Sequence, residues 1–121
     1  MTNAAQAYAR VAQTSANPRE IEAQALLKAA TKLQNAMANW DPHGPDLNAA
    51  LMFNRKLWSI LLSAVTSDEN PQTIEVRQNI ANIGTFVMTQ TMELQINPKR
   101  ELLKPLIDIN CNLAAGLSGR S

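Results

Sequence analysis

Six prolines, Pro18, Pro42, Pro45, Pro71, Pro98 and Pro105, cut this 121-residue chain into stretches that no helix interior can cross. Proline lacks the backbone N–H and its ring clashes with the preceding turn, so it is tolerated only at a helix start or between helices. Within the stretches, apolar residues recur every three or four positions, the period of a helix with one buried face. Asn17-Pro18-Arg19-Glu20 reads as an N-cap, a first-turn proline and an early glutamate. Behind it Ala23, Leu26, Ala30, Leu33, Met37 and Trp40 form a stripe that stops at Asp41-Pro42-His43-Gly44-Pro45. A second stripe runs from Asp46, taken as its cap, to Ser67 through Leu47, Leu51, Trp58, Leu61 and Val65, with Leu57 and Leu62 beside it. Asn70-Pro71 opens a third, with Val76, Ile80, Ile83, Val87 and Leu94 in phase. Its β-branched run Thr85–Thr91 suits a strand locally, but the length and sustained phase favour helix. Pro105 places the start of the last helix near Lys104, with Leu106, Ile109, Leu113 and Leu117 on its apolar side and Gly116 and Gly119 at its end. The expected fold is all-α, a compact bundle of four main helices plus a short N-terminal helix or arm. One domain covers residues 1–121, and residues 1–16 form an arm that is either docked or frayed.

The second stripe is interrupted in an informative way. Asn54 lies between Leu51 and Trp58, where a core helix normally carries an aliphatic side chain. A buried amide left unpaired costs about 1–3 kcal/mol, so this position requires a polar partner from another helix. Asp108 and Asn110 in the last helix are the candidates. The amide either locks the bundle or belongs to a contact surface. Arg55 projects to the flank, its stem over apolar surface and its head in water. Met88 and Met92, with Thr85 and Thr89, form a further stripe on the third helix. Flexible thioethers there either fill gaps in a leucine-poor core or offer an adaptable surface to a partner's helix.

Several function classes lose support at this stage. The net charge of +1 has interspersed signs, so the basic stripe of a tight nucleic-acid binder is missing. Lys99, Arg100 and Lys104 are too few for more than weak, salt-sensitive phosphate contact. Cys111 is the only cysteine, which excludes an intramolecular disulfide and suits a reducing compartment. It reads as a small core hydrophobe. Met1-Thr2-Asn3-Ala4-Ala5 lacks the basic start and apolar block of a signal peptide, and no apolar run approaches a membrane span. His43, the only histidine, sits in a proline-bounded turn; beside Asp41 and Asp46 it is too little for a metal site. The four glycines form no phosphate-cradling loop. The expectation is a soluble, cytoplasmic protein without catalytic residues, metal or cofactor.

The order of signals resembles the FlaF flagellar-biosynthesis regulators. It is carried by Ala7-Tyr8-Ala9, Asn17-Pro18-Arg19-Glu20-Ile21-Glu22 and Asn54-Arg55-Lys56-Leu57-Trp58, then Pro105-Leu106-Ile107-Asp108-Ile109-Asn110 and Gly116-Leu117. Cys111 departs from the pattern, standing where a basic residue is expected. The resemblance implies a non-enzymatic cytoplasmic protein needed for flagellin production and filament assembly. The specific expectation is a flagellin-binding secretion chaperone that covers an assembly-prone helix by helix-in-groove packing. Asn54, Arg55, Trp58, Met88, Met92, Asp108 and Asn110 are its candidate contact residues, with Asn54 paired to Asp108 or Asn110. The alternative is a post-transcriptional regulator acting on flagellin mRNA directly or through a companion mRNA-binding protein. Scarce aromatics for base stacking disfavour direct contact.

Overall fold

The computed structural model describes residues 18–119. The expected N-terminal arm and the Asn17 cap lie outside them. Four α-helices follow one another: α1 Pro18–Ala38, α2 Pro45–Thr66, α3 Ile74–Ile96 and α4 Leu103–Leu117. A 3₁₀ turn, Arg100–Leu102, leads into the last. No strand occurs among the described residues.

Helix α1 is the hub. It packs most extensively along α4 and also along α2, while α3 joins the bundle chiefly through α2. The composition of α1 explains this. Ala23, Ala29, Ala30 and Ala36 are buried beside Leu26 and Leu33, and small side chains let neighbouring helices approach closely. Met37 and Trp40, at the end of the expected stripe, are half-buried against the core.

The start of α2 differs from expectation. Gly44, not Asp46, is the N-cap, and Pro45 takes the first helical position. Proline suits that position because its absent N–H would have no intrahelical acceptor. The Asp41 carboxylate fills the space a Cβ on Gly44 would need, with Oδ2 only 2.8 Å from it. Asp41 Oδ1 accepts from the His43 N–H at 3.1 Å, so the histidine is part of this turn. At the other end of α2, open carbonyls are closed by side chains from beyond the helix. Asn70 Nδ2 donates to the Ala64 carbonyl at 3.0 Å and Arg77 Nε to that of Val65 at 2.8 Å.

The start of α3 also moves. Asn70 Oδ1 accepts from the Gln72 N–H in a local turn, and the cap is Thr73, whose hydroxyl accepts from the Val76 N–H at 3.2 Å. Val76 consequently falls in an exposed first turn. The buried seam is Ile80, Gly84, Val87, Thr91 and Leu94. The threonine-rich run is helical because its buried seam overrides the local strand preference, and each hydroxyl is satisfied one turn back: Thr85 to Ala81, Thr89 to Thr85 and Thr91 to Val87. Gly84 admits α2 closely. A Cβ there would stand 2.9 Å from Leu62 Cγ.

Helix α4 starts one residue earlier than expected, and Pro105 occupies its first turn. Its buried face is Leu103, Leu106, Ile107, Asn110 and Ala114. Of the expected apolar side only Leu106 is fully buried; Ile109, Leu113 and Leu117 flank the core half-buried. The helix is rotated because Asn110, a polar residue, sits at the middle of the buried face. Cys111 is half-buried beside it. Gly119, at φ +74°, closes the helix in the left-handed conformation that glycine adopts without penalty. Two of the three basic residues around Pro98–Pro105 are engaged within the chain. Arg100 Nε donates to the Met37 carbonyl at 2.9 Å, and Lys104 pairs with Asp108 at 3.1 Å.

Candidate functional site

The seven candidate residues separate into a sealed group and an open one. Asn54, Trp58 and Asn110 have no exposed area. Asn54 and Trp58 are one turn apart on α2, and Asn110 reaches them from α4. The indole Nε1 of Trp58 donates to Asn110 Oδ1 at 2.9 Å, and Asn110 Nδ2 donates to Asn54 Oδ1 at 2.7 Å. The order is forced. An indole N–H can only donate, so Asn110 must present its oxygen to Trp58 and its nitrogen to Asn54, which must answer with oxygen. The Asn54 Nδ2 group is then left at the end of the chain, buried and without a partner among the described residues.

Asp108, the other proposed partner of Asn54, does not join this relay. Two residues before Asn110 on a helix points about 200° away, into solvent, where its carboxylate meets Lys104. Asn54, Trp58 and Asn110 have no surface to offer a binding partner in this fold. They bridge α2 and α4 through the core.

The open group lies on the far side of α2. Met52, Arg55, Lys56, Ser59 and Ile60 line an open groove of about 600 Å³. Met52 and Ile60 are 48% and 59% exposed, and Met92 of α3 is 55% exposed. Met88, one turn from Met92, is half-buried against the core. Gln95 of α3 completes an i, i+4, i+7 row with Met88 and Met92, and its Nε2 touches Met52 Sδ at 3.6 Å. The methionine row of α3 therefore runs alongside the α2 groove. Of the seven candidates, Arg55, Met88 and Met92 belong to this face. Sequence reasoning missed Met52 and Ile60. Their signal was an apolar residue on the side of α2 opposite Asn54, among Arg55, Lys56, Ser59 and Ser63.

At the end of the bundle where α2 finishes, Leu61, Val65, Ile80, Leu113 and Leu117 enclose a chamber of about 290 Å³. Glu22 stands at its rim. Burial pushes its carboxyl above the usual range, and Arg19 offsets part of that effect.

No cluster of three metal-ligating side chains is found among the described residues, and none of their helices is long and apolar enough to cross a membrane. The arrangement presents an apolar face that contains Met52 and Met92 and is flanked by Arg55 and Lys56. A family model described as flagellar protein FlaF matches residues 4–117. Comparison with curated proteins and with solved structures gives no match.

Proposed function

Since the chain belongs to the FlaF family of flagellar proteins, we propose that it is a cytoplasmic, non-enzymatic chaperone that binds flagellin and supports flagellin production and filament assembly. The observation that carries this reading is the open apolar face across α2 and α3, with Met52, Ile60 and Met92 each about half exposed. Large apolar side chains gathered on one face of a small domain mark an interaction surface, and methionines adapt their shape to the helix laid against them. A flagellin segment that forms an amphipathic helix would bury its stripe there, hidden from other subunits until export. The sealed relay supports the same reading indirectly, since it stiffens the helix on which the groove is built.

Co-expression with the cognate flagellin, followed by co-purification at low and high salt, tests the proposal. A stable complex that survives high salt is expected, because burial of apolar surface is not weakened by screening. Failure to co-purify at any salt concentration would overturn it. Recovery of flagellin transcript with the chain, lost steeply as salt rises, would favour the mRNA reading instead.

A further inference from the structure

Two lysines one turn apart on α1, Lys28 and Lys32, both lean over a single ring of α2. Their ammonium groups stand 5.6 and 5.2 Å from the Phe53 centroid. Like charges at this spacing on a helix repel each other. The ring face attracts each of them, but none of Lys28, Lys32, Arg55 and Lys56 has a carboxylate partner among the described residues. Phe53, Lys56 and Ile60 are at i, i+3 and i+7 on α2, hence on one side of it. Lys56 and Ile60 also line the groove, whose lining includes Arg55 and no acidic residue. The lysine pair thus stands along the edge of the apolar face described above. Arg55 and Lys56 line it, the lysine pair flanks it across Phe53, and none of the four is in an ion pair among the described residues, although Lys32 also lines a second hollow that contains Asp46.

Resting on the reading of this face as a docking groove, we infer that its occupant is an amphipathic helix whose apolar stripe is flanked by Asp or Glu, and that Lys28, Lys32 and Lys56 receive those carboxylates. The apolar stripe settles on Met52 and Ile60. Each flanking carboxylate finds an ammonium within a Debye length, and one placed between Lys28 and Lys32 relieves their mutual repulsion. A nucleic acid fits less well. The cations are interleaved with aliphatic side chains, and the one aromatic ring among them is half-buried and already faced by the lysines, leaving no platform for a base.

The test uses the full chain and two synthetic helical peptides with identical apolar stripes, one flanked by Glu and the other by Lys, with an RNA oligonucleotide as competitor. Binding is read by fluorescence anisotropy at low and physiological salt. The Glu-flanked peptide is expected to bind at least about tenfold more tightly, with the gap narrowing as salt rises. The K28E/K32E/K56E variant should reverse the preference, and K28Q/K32Q/K56Q, a milder change in case the first disturbs folding, should flatten it. Equal or tighter binding of the Lys-flanked peptide would overturn the inference, as would a preference unmoved in a folded variant. So would displacement by the RNA, or no binding of either peptide. Flagellin capture that persists unchanged in the charge variants sinks the inference alone. Failure of the unaltered chain to capture flagellin sinks the functional reading itself.

Discussion

The two sides of α2 invert the usual assignment of polar and apolar residues. Toward α4 it buries Asn54 and the Trp58 N–H without exposed area; toward the groove it presents Met52 and Ile60 to water. On the sealed side, polarity is tolerated because Asn110 answers it, and the geometry becomes specific in return. On the open side, apolar surface is left uncovered, and the proposed function gives it an occupant. The contrast teaches that the conspicuous polar residue of this helix is architectural and that the inconspicuous aliphatic ones are the functional candidates.

The largest expected effect comes from Trp58→Ala. Removing a fully buried indole leaves a cavity and should cost about 3–5 kcal/mol in a denaturant titration. A near-normal melt with flagellin capture lost would break the contrast by moving the ring to the binding surface. Asn54→Leu comes next. It leaves Asn110 Nδ2 buried and unpaired but removes the unpaired Asn54 Nδ2, so the net loss expected is that of one hydrogen bond, about 0.5–1.5 kcal/mol. The triple change Trp58→Phe, Asn54→Leu and Asn110→Leu removes every polar group of the relay together and should recover much of that loss. If Asn54→Leu alone is clearly stabilising, the relay costs more than it contributes and the sealed side loses its explanation.

Glu22 gives a smaller, pH-dependent effect. Its carboxyl is pushed up by burial in the folded state, so between the usual carboxylate value and the raised one the folded chain holds more protons than the unfolded chain. Stability therefore falls as pH rises through that window, and the penalty is fully present above it. Glu22→Gln should raise the melting temperature slightly near neutral pH and leave it unchanged below the usual carboxylate range. A gain of the same size at acid pH would show that charge is not the cause. Smallest in stability, and sharpest for the contrast, are Met92→Glu and Ile60→Asp. Substitution on an exposed face should stay within about 0.5 kcal/mol of the parent while abolishing co-purification with flagellin. Retained capture would show that the open side is merely surface.

Much of this was legible from the chain, and the failures share causes. Proline positions and helical phase defined four helices because both act locally. Asn54 announced a polar partner because an amide on an aliphatic stripe violates the pattern, and Asn110 was one of two candidates for it. The phase of α4 was misread for the same physical reason in reverse. Placing the apolar side on Leu106, Ile109, Leu113 and Leu117 by aliphatic spacing alone leaves Asn110 off its centre, whereas the relay pulls Asn110 to the centre and sends Asp108 outward to Lys104. Helix starts at Gly44 and Thr73 were missed because Asp46 and Asn70 are better caps by residue type alone. A carboxylate packed on Gly44 and a turn closed by Asn70 decided otherwise. The groove depends on which face of α2 its neighbours leave uncovered, a property of assembly that no single stripe records.

The one-way order of the relay also constrains how α4 can travel along its neighbour. Sliding that helix by one turn would bring Leu106 or Ala114 opposite the indole, and neither can accept its hydrogen. A continuous aliphatic seam would tolerate such a slip at little cost; this one has a single notch. The frame beneath the groove is therefore indexed to one axial position.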